Sequence, residues 1–274
     1  MKHNAQKDMS LLVHKAVDTI NEHGTGGFLL VCEHASNQVP AELDGLGLND
    51  KQIASHIAWD PGALDVAKRL SSALDSPLVS ACISRLVYDC NRPPESPDAI
   101  CSLSERDTIP GNLNLSAKAR QSRIDQVYRP FQQAVAKLAS ATTADNHRPL
   151  LVTIHSFVPV YKGVGREVEI GILHDSDTRI ADLMLDPEAP HNGLRFRRNE
   201  PYGPVDGVTH TLKEHGLANG LANVMIEIRN DLLVDSQGQQ QIADILIEQL
   251  QRVRQQLHPS SRAPDNTPST SSPE

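Results

Sequence analysis

The sequence predicts an α/β fold built on a mostly parallel sheet, and three apolar runs are the reason. Leu150 to Phe157, LLVTIHSF, is apolar and β-branched and closes on a His-Ser pair. Phe28 to Cys32 stops at Glu33-His34, and Val224 to Ile228 carries Glu227 among apolar neighbours. Runs of this kind, without polar alternation, read as strands buried on both faces. Open α/β sheets place their ligands beyond the carboxyl ends of such strands, so His34, His155 and Glu227 are the first candidates for chemistry. At 274 residues there is material for one large domain. We expect it over residues 1–257, with a polar, Pro/Ser-rich tail over 258–274 that is expected to be disordered.

Taken in order, residues 10–22 carry Leu11, Leu12, Val13, Val17 and Ile20 on a weak amphipathic pattern and read as an N-terminal helix. The strand Phe28 to Cys32 follows. Asn49 or Asp50 can cap a helix across Ile53 to Ile57, and Asp60-Pro61-Gly62 breaks it and opens a second from Ala63 to Leu74. Asp60 reads most simply as a helix cap, with a role in orienting His34 as the alternative. Leu78 to Ile83 and Leu86 to Cys90 read as two strands. Residues 93–114 have no sustained period and read as a long loop, a feature that is usually functional. Ser116 caps a helix from Ala117 to Ala139. After Leu150 to Phe157 come a strand from Val168 to Leu173, a helix across Ile180 to Leu185, an irregular stretch from Pro187 to Asp206, the strand with Glu227, and a terminal helix from Ser236 to Leu257.

Composition narrows the partners. A formal net charge of -8 and a pI near 5.8 argue against nucleic acid and anionic membranes, which need clustered positive charge. Aromatic residues are 3% of the chain, too few for a base-stacking platform. No apolar run reaches membrane-spanning length and the N-terminus lacks a signal-peptide core, so a cytoplasmic location is expected. Cys32, Cys82, Cys90 and Cys101 show no CxxC spacing and read as free thiols.

The chemistry-bearing residues form a pattern. Two imidazoles delivered to one crevice, His34 and His155, suit zinc, which in catalytic sites takes three protein ligands and keeps a position for water. For the third ligand, Asn37 stands at the i+3 position after His34, while Glu33, if still on the strand, points the other way. Asn37 is therefore taken as the third ligand. Glu227 is an acid in an apolar strand: either a general base or the partner of Arg229, two residues on. Arg92, beyond Tyr88-Asp89-Cys90-Asn91, can clamp a substrate carboxylate, while Arg85 can either join it or pin Asp89. His56, His174 and His210 are left without a role, His210 reading as a surface or covering residue.

Several stretches together resemble the zinc carboxypeptidase superfamily: in chain order, Asp-Cys-Asn91-Arg92, Thr-Ile-His155-Ser-Phe and Ile-Glu227-Ile-Arg229-Asn-Asp. Within it the chain more closely resembles the N-formylglutamate amidohydrolase family, through Cys32 to Asn37, His56 to Ala63, Ser84 to Pro94 and His155 to Tyr161. The resemblance spans about residues 28–235. It implies a three-layer α/β/α sandwich on a mixed, mostly parallel sheet. It also implies one Zn2+ ion and hydrolysis of an N-acyl amino acid, N-formyl-L-glutamate first among them, as in histidine degradation. By residue it implies zinc on His34 and His155, Glu227 as base and then acid, and Asn91 with Arg92 on the α-carboxylate. Asn37 departs from the carboxypeptidase pattern, which has Glu there, and would leave the first shell one negative charge short. Another N-acyl amino acid or a short peptide as substrate, a metal-retaining binding module, and a metal-free carboxylate-binding domain are the alternatives. The oligomeric state is not readable from the sequence.

Overall fold

The computed structural model describes residues 15–140 and 148–258. Eleven strands follow in chain order: β1 (Val17–Ile20), β2 (Phe28–Cys32), β3 (Leu78–Ala81), β4 (Leu103–Ser104), β5 (Asp107–Thr108), β6 (Leu150–Phe157), β7 (Val160–Tyr161), β8 (Val164–Gly165), β9 (Ile170–Leu173), β10 (Phe196–Arg198) and β11 (Asn223–Arg229). The α-helices are α1 (Asp50–Ala54), α2 (Ala63–Ala73), α3 (Ala117–Arg123), α4 (Arg129–Ala139), α5 (Arg179–Met184) and α6 (Ser236–Leu257). A π-helical segment over Ile124–Tyr128 joins α3 to α4 without a break.

Seven strands form one sheet in the order β1-β3-β2-β6-β11-β9-β10. The pairs β3-β2, β2-β6, β6-β11 and β9-β10 are parallel; β1-β3 and β11-β9 are antiparallel. All eight residues of β6 are buried, which is why its sequence is apolar without alternation. Its side chains still divide by period two. Leu150, Val152 and Ile154 pack with Leu70 of α2 and Leu246 of α6 in one core, and Leu151 packs with Phe131 and Val135 of α4 in the other. Helices therefore cover both faces, giving the expected three layers. Each fully buried Leu, Ile or Phe contributes roughly 1.5–3 kcal/mol to holding them together.

Two expected elements differ. Val17–Ile20 is not the end of a helix but an edge strand antiparallel to β3; Val, Thr and Ile in four residues favour the extended form once a sheet edge is available. Residues 1–14, with the first five residues of the expected helix, lie outside the described residues, as does the tail from 259. Leu86 to Cys90 is not a strand. It is a buried turn, started by Val87 N donating to Ser84 O and held by Arg123 donating to the Val87 carbonyl. Burial on all sides gives such a turn a strand's composition. The region 187–206 supplies one short strand, β10, on the sheet edge. No helix among the described residues is long and apolar enough to cross a membrane.

This topology determines where side chains meet. Because β2, β6 and β11 are parallel neighbours, their carboxyl ends share one edge, and Glu227 stands opposite His155 in register. Glu227, His155, Leu151 and Met225 lie on the same face by period two. On β9 the register partner of Glu227 is Gly171, where a Cβ would meet the Glu200 carbonyl oxygen at 1.9 Å. Only glycine lets the chain after β10 cross here, and that crossing carries Tyr202 over the site.

Candidate active site

At this edge opens a cavity of about 510 Å³, lined among others by His34, Asp60, Asp89, His155 and Glu227. His34 follows β2 in a turn; the turn is set by Asp60 N donating to the His34 carbonyl at 2.9 Å. Gly62, in the left-handed region at φ 80°, then starts α2 and leaves the Asp60 side chain pointing back at the strand ends. Asp60 is not a helix cap. Its Oδ2 lies 3.2 Å from His34 Nδ1 and 2.9 Å from His155 Nδ1, and accepts Ser156 N at 3.3 Å. The two Nδ1 atoms are themselves 3.2 Å apart, with the rings edge-on.

The far nitrogen of each ring faces a second carboxylate. Asp89 Oδ1 is 2.7 Å from His34 Nε2, and Glu33 Oε2 is 3.1 Å from His155 Nε2, close but off-axis for a directed hydrogen bond. Without a cation, the carboxylates on both sides of each ring favour the imidazolium form. A cation that displaces the Nδ1 protons would meet two lone pairs and a carboxylate oxygen converging on one point, with the Nε2 protons facing Asp89 and Glu33. The spacing fits as well, since two ligands about 2.0–2.1 Å from a tetrahedral zinc stand roughly 3.3 Å apart. His34, Asp60 and His155 are thus a cluster that can hold a metal ion.

Electrostatics agrees with that fit. Glu33, Asp60, Asp89 and Glu227 are all buried, and the guanidinium of Arg85 reaches only two of them, Asp60 at 3.4 Å and Asp89 at 3.1 Å. Burial alone would raise the Asp60 carboxyl, but His34 and His155 hold it well below the usual carboxylate range, so it is ionised. Burial lowers both imidazoles and the neighbouring carboxylates outweigh it, attracting positive charge to the cluster. Glu227 differs: desolvation dominates and its carboxyl is pushed up to about 7. Its Oε2 is buried without a hydrogen-bond partner. An unpaired acid poised near neutrality on a cavity wall has the properties of a general base.

The remaining sequence candidates separate. Asn37 does not join the cluster: its amide donates to the Ile53 carbonyl at 3.1 Å. The negative charge expected to be missing with Asn at this position is supplied to the cluster by Asp60. Glu33, expected to point away from the cluster if it were still on the strand, lies in the turn after β2 and places its carboxylate beside His155. Asn91 lines the cavity, but its amide donates to Val208 O at 2.6 Å and accepts from Thr211 N at 3.0 Å, so it anchors the covering loop. Arg92 lines the cavity and donates to Asp206 O at 2.8 Å. Arg229 pairs with Asp231 and Glu169, not with Glu227, and does not line the cavity. His56 pairs with Glu105 at the mouth at 3.0 Å. His210 meets the Tyr128 hydroxyl at 2.9 Å, and His174 meets Arg198, both away from the cavity. Asp60 and Asp89 escaped a cation-holding role in the sequence reading although both lie inside the stretches that carried the family resemblance.

A model of the N-formylglutamate amidohydrolase family matches residues 26–234. The gene product Atu2144 from Agrobacterium tumefaciens, a crystal structure, is 50% identical to this chain, covers 89% of it and 96% of its own length, and superposes with a TM-score of 0.85. The N-formylglutamate amidohydrolase from Ralstonia eutropha JMP134 is 17% identical, with 87% and 97% covered and a TM-score of 0.62, a likeness of fold. No curated protein matches the chain. With the family match spanning every strand-end residue of the cavity, the chain belongs to the N-formylglutamate amidohydrolase family, hydrolases that act on an amide bond.

Proposed function

We propose that this protein is a zinc-dependent amidohydrolase that cleaves N-formyl-L-glutamate to formate and L-glutamate. The metal part of this reading rests on one observation, the convergence of His34 Nδ1, His155 Nδ1 and Asp60 Oδ2 within 3.2 Å of one another. His34, Asp60 and His155 would hold the ion. A zinc ion there supplies Lewis acidity, polarising a carbonyl oxygen and bringing the pKa of water down to about 7. Asp89 and Glu33 keep the two imidazoles in the ligating tautomer, and Arg85 keeps Asp60 and Asp89 oriented.

The chain's own groups then account for the proton traffic. Glu227 Oε2 takes a proton from the attacking water and later delivers it to the departing nitrogen, so the amide bond breaks and a carboxylic acid and a free amine form. Its burial and lack of a partner leave it free for both transfers. The N–H groups of Arg92 not spent on Asp206 receive the α-carboxylate. Tyr202, Asp206 and Val208 form part of the cavity wall.

Zinc content of the purified protein, together with formate release from N-formyl-L-glutamate with and without a chelator, tests this. Near-stoichiometric zinc and chelator-sensitive formate are expected. Zinc without formate would overturn the substrate and keep the metal site; formate release unaffected by full removal of the metal would overturn the metal dependence.

A further inference from the structure

Three guanidinium groups line the cavity, and their surroundings differ. Arg85 is neutralised by Asp60 and Asp89. Arg92 meets a backbone carbonyl, and Arg166 donates to the Val158 carbonyl at 3.4 Å; neither forms an ion pair among the described residues. Arg166 is held by rings instead. Its guanidinium carbon lies 4.7 Å from the Tyr161 centroid, 4.7 Å from Tyr202 and 5.5 Å from Phe157. The chain has four Phe, four Tyr and one Trp, and three of these converge on this one arginine.

Rings hold a guanidinium by its faces and leave its N–H edge for a planar acceptor. The cage is tied to the reaction centre by short stretches of chain. Phe157 ends β6 two residues beyond His155, Arg166 leaves the β7-β8 hairpin, and Tyr202 arrives on the segment that crosses Gly171. The rotamers of Arg166 are therefore already restricted before a ligand arrives, which reduces the entropy lost on binding. Glu105 and Glu227 face the same space, so away from the cation cluster a substrate carboxylate is favoured against the two arginines that have no carboxylate partner among the described residues.

We propose that Arg166 is the specificity-determining residue for an acidic side chain: it receives the distal carboxylate of an N-acyl acidic amino acid while Arg92 receives the α-carboxylate. This rests on the amidohydrolase reading above. A carboxamide in the same place offers one neutral acceptor to a fixed cation and loses the charge-assisted pair.

The test uses the zinc-loaded full chain with Glu227→Gln, so that binding is read without turnover. Calorimetric affinities for N-formyl-L-glutamate and N-formyl-L-glutamine are compared with and without Arg166→Gln; the two ligands differ only at the distal group. A preference of about 10- to 100-fold for the acid is expected, falling to within about threefold in Arg166→Gln. Arg166→Lys, which keeps the charge but not the fork, is expected to hold an intermediate preference, and it guards against a variant that does not fold. An absent preference in the parent, a preference that survives Arg166→Gln, or no binding of either ligand overturns the assignment. Formate release by the chain with native Glu227 is read separately. Preference without formate keeps Arg166 and sinks the reaction; formate with a preference insensitive to Arg166→Gln does the reverse.

Discussion

Replacing Asp60 by Asn tests the centre of the site most directly. The carboxylate oxygen within 3.2 Å of both Nδ1 atoms becomes part of a neutral amide of the same shape. Four-ligand protein zinc sites bind with about 10–16 kcal/mol, or roughly 2.5–4 kcal/mol for each ligand, which corresponds to a loss of about 10²- to 10³-fold in affinity. Asn37→Ala, made in parallel, removes a side chain engaged only with the Ile53 carbonyl, and is expected to change zinc affinity by less than about threefold, or roughly 0.6 kcal/mol. The assay is competition against a chelator of known affinity, with a circular dichroism melt of each apo-protein to establish that the fold is kept. Zinc affinity unchanged in Asp60→Asn, or an equal loss in Asn37→Ala, would refute the assignment of the third ligand.

Other expectations follow from the same geometry. Asp89→Asn replaces the carboxylate that holds His34 Nε2 with an amide and should weaken zinc by about 10- to 100-fold, read by the same competition; parental affinity would show that His34 needs no such support. Glu227→Gln should lower kcat by about 10²- to 10⁴-fold with zinc content preserved, because the residue is no ligand; a drop in zinc content would instead make it part of the cation site. The pH profile has a definite sign. Glu227 must be ionised to accept a proton, so kcat/KM rises with pH through its pKa; burial places that pKa near 7 and a bound divalent cation lowers it, so the acid limb should fall at or below about 7. A limb above 8, or one unchanged in residual Glu227→Gln activity, would assign it to another group. Arg92→Ala should raise KM for N-formyl-L-glutamate by about 10-fold or more through the lost charge-assisted contact; unchanged KM and kcat would end its role as the α-carboxylate clamp.

The strands that carry the chemistry were legible because burial on both faces leaves an unambiguous apolar run. β2, β6 and β11 lie where Phe28, Leu150 and Val224 announce them, and Ser236–Leu257 is a helix end to end. Legibility failed where burial was not accompanied by pairing: Leu86 to Cys90 has the composition of a strand and is a turn. It failed for Asp60 for a related reason. An acid before Pro-Gly has a sufficient local explanation as a helix cap, and its actual partners are 26 and 95 residues away in the chain. Asn37 had the reverse difficulty, a persuasive local spacing and no tertiary support. Period two does not apply to Glu33, because β2 ends at Cys32 and the chain is already turning there, which brings the Glu33 carboxylate beside His155.

The charge balance of the cavity connects the proposed metal centre to the proposed substrate. Asp60 and Asp89 both pair with Arg85, so this arginine has less attraction left for a substrate anion than its neighbours. Of the arginines that line the cavity, Arg92 and Arg166 are then the two without a carboxylate partner among the described residues, with Glu227 and Glu105 on the walls of the same cavity. A substrate with one carboxylate would leave one guanidinium unpaired on the cavity wall, and one with none would leave both; each such loss forfeits a charge-assisted contact of about 1.5–3 kcal/mol. A substrate with two carboxylates satisfies both and can still present its amide to Glu227. Removing Arg85 should therefore act on the metal site and not on substrate selection. Arg85→Gln is expected to weaken zinc or shift its pH dependence, through Asp60 and Asp89, while the ratio of affinities for N-formyl-L-glutamate and N-formyl-L-glutamine stays within about threefold of the parent; a collapse of that ratio would place the distal carboxylate on Arg85 and leave Arg166 as a packing residue.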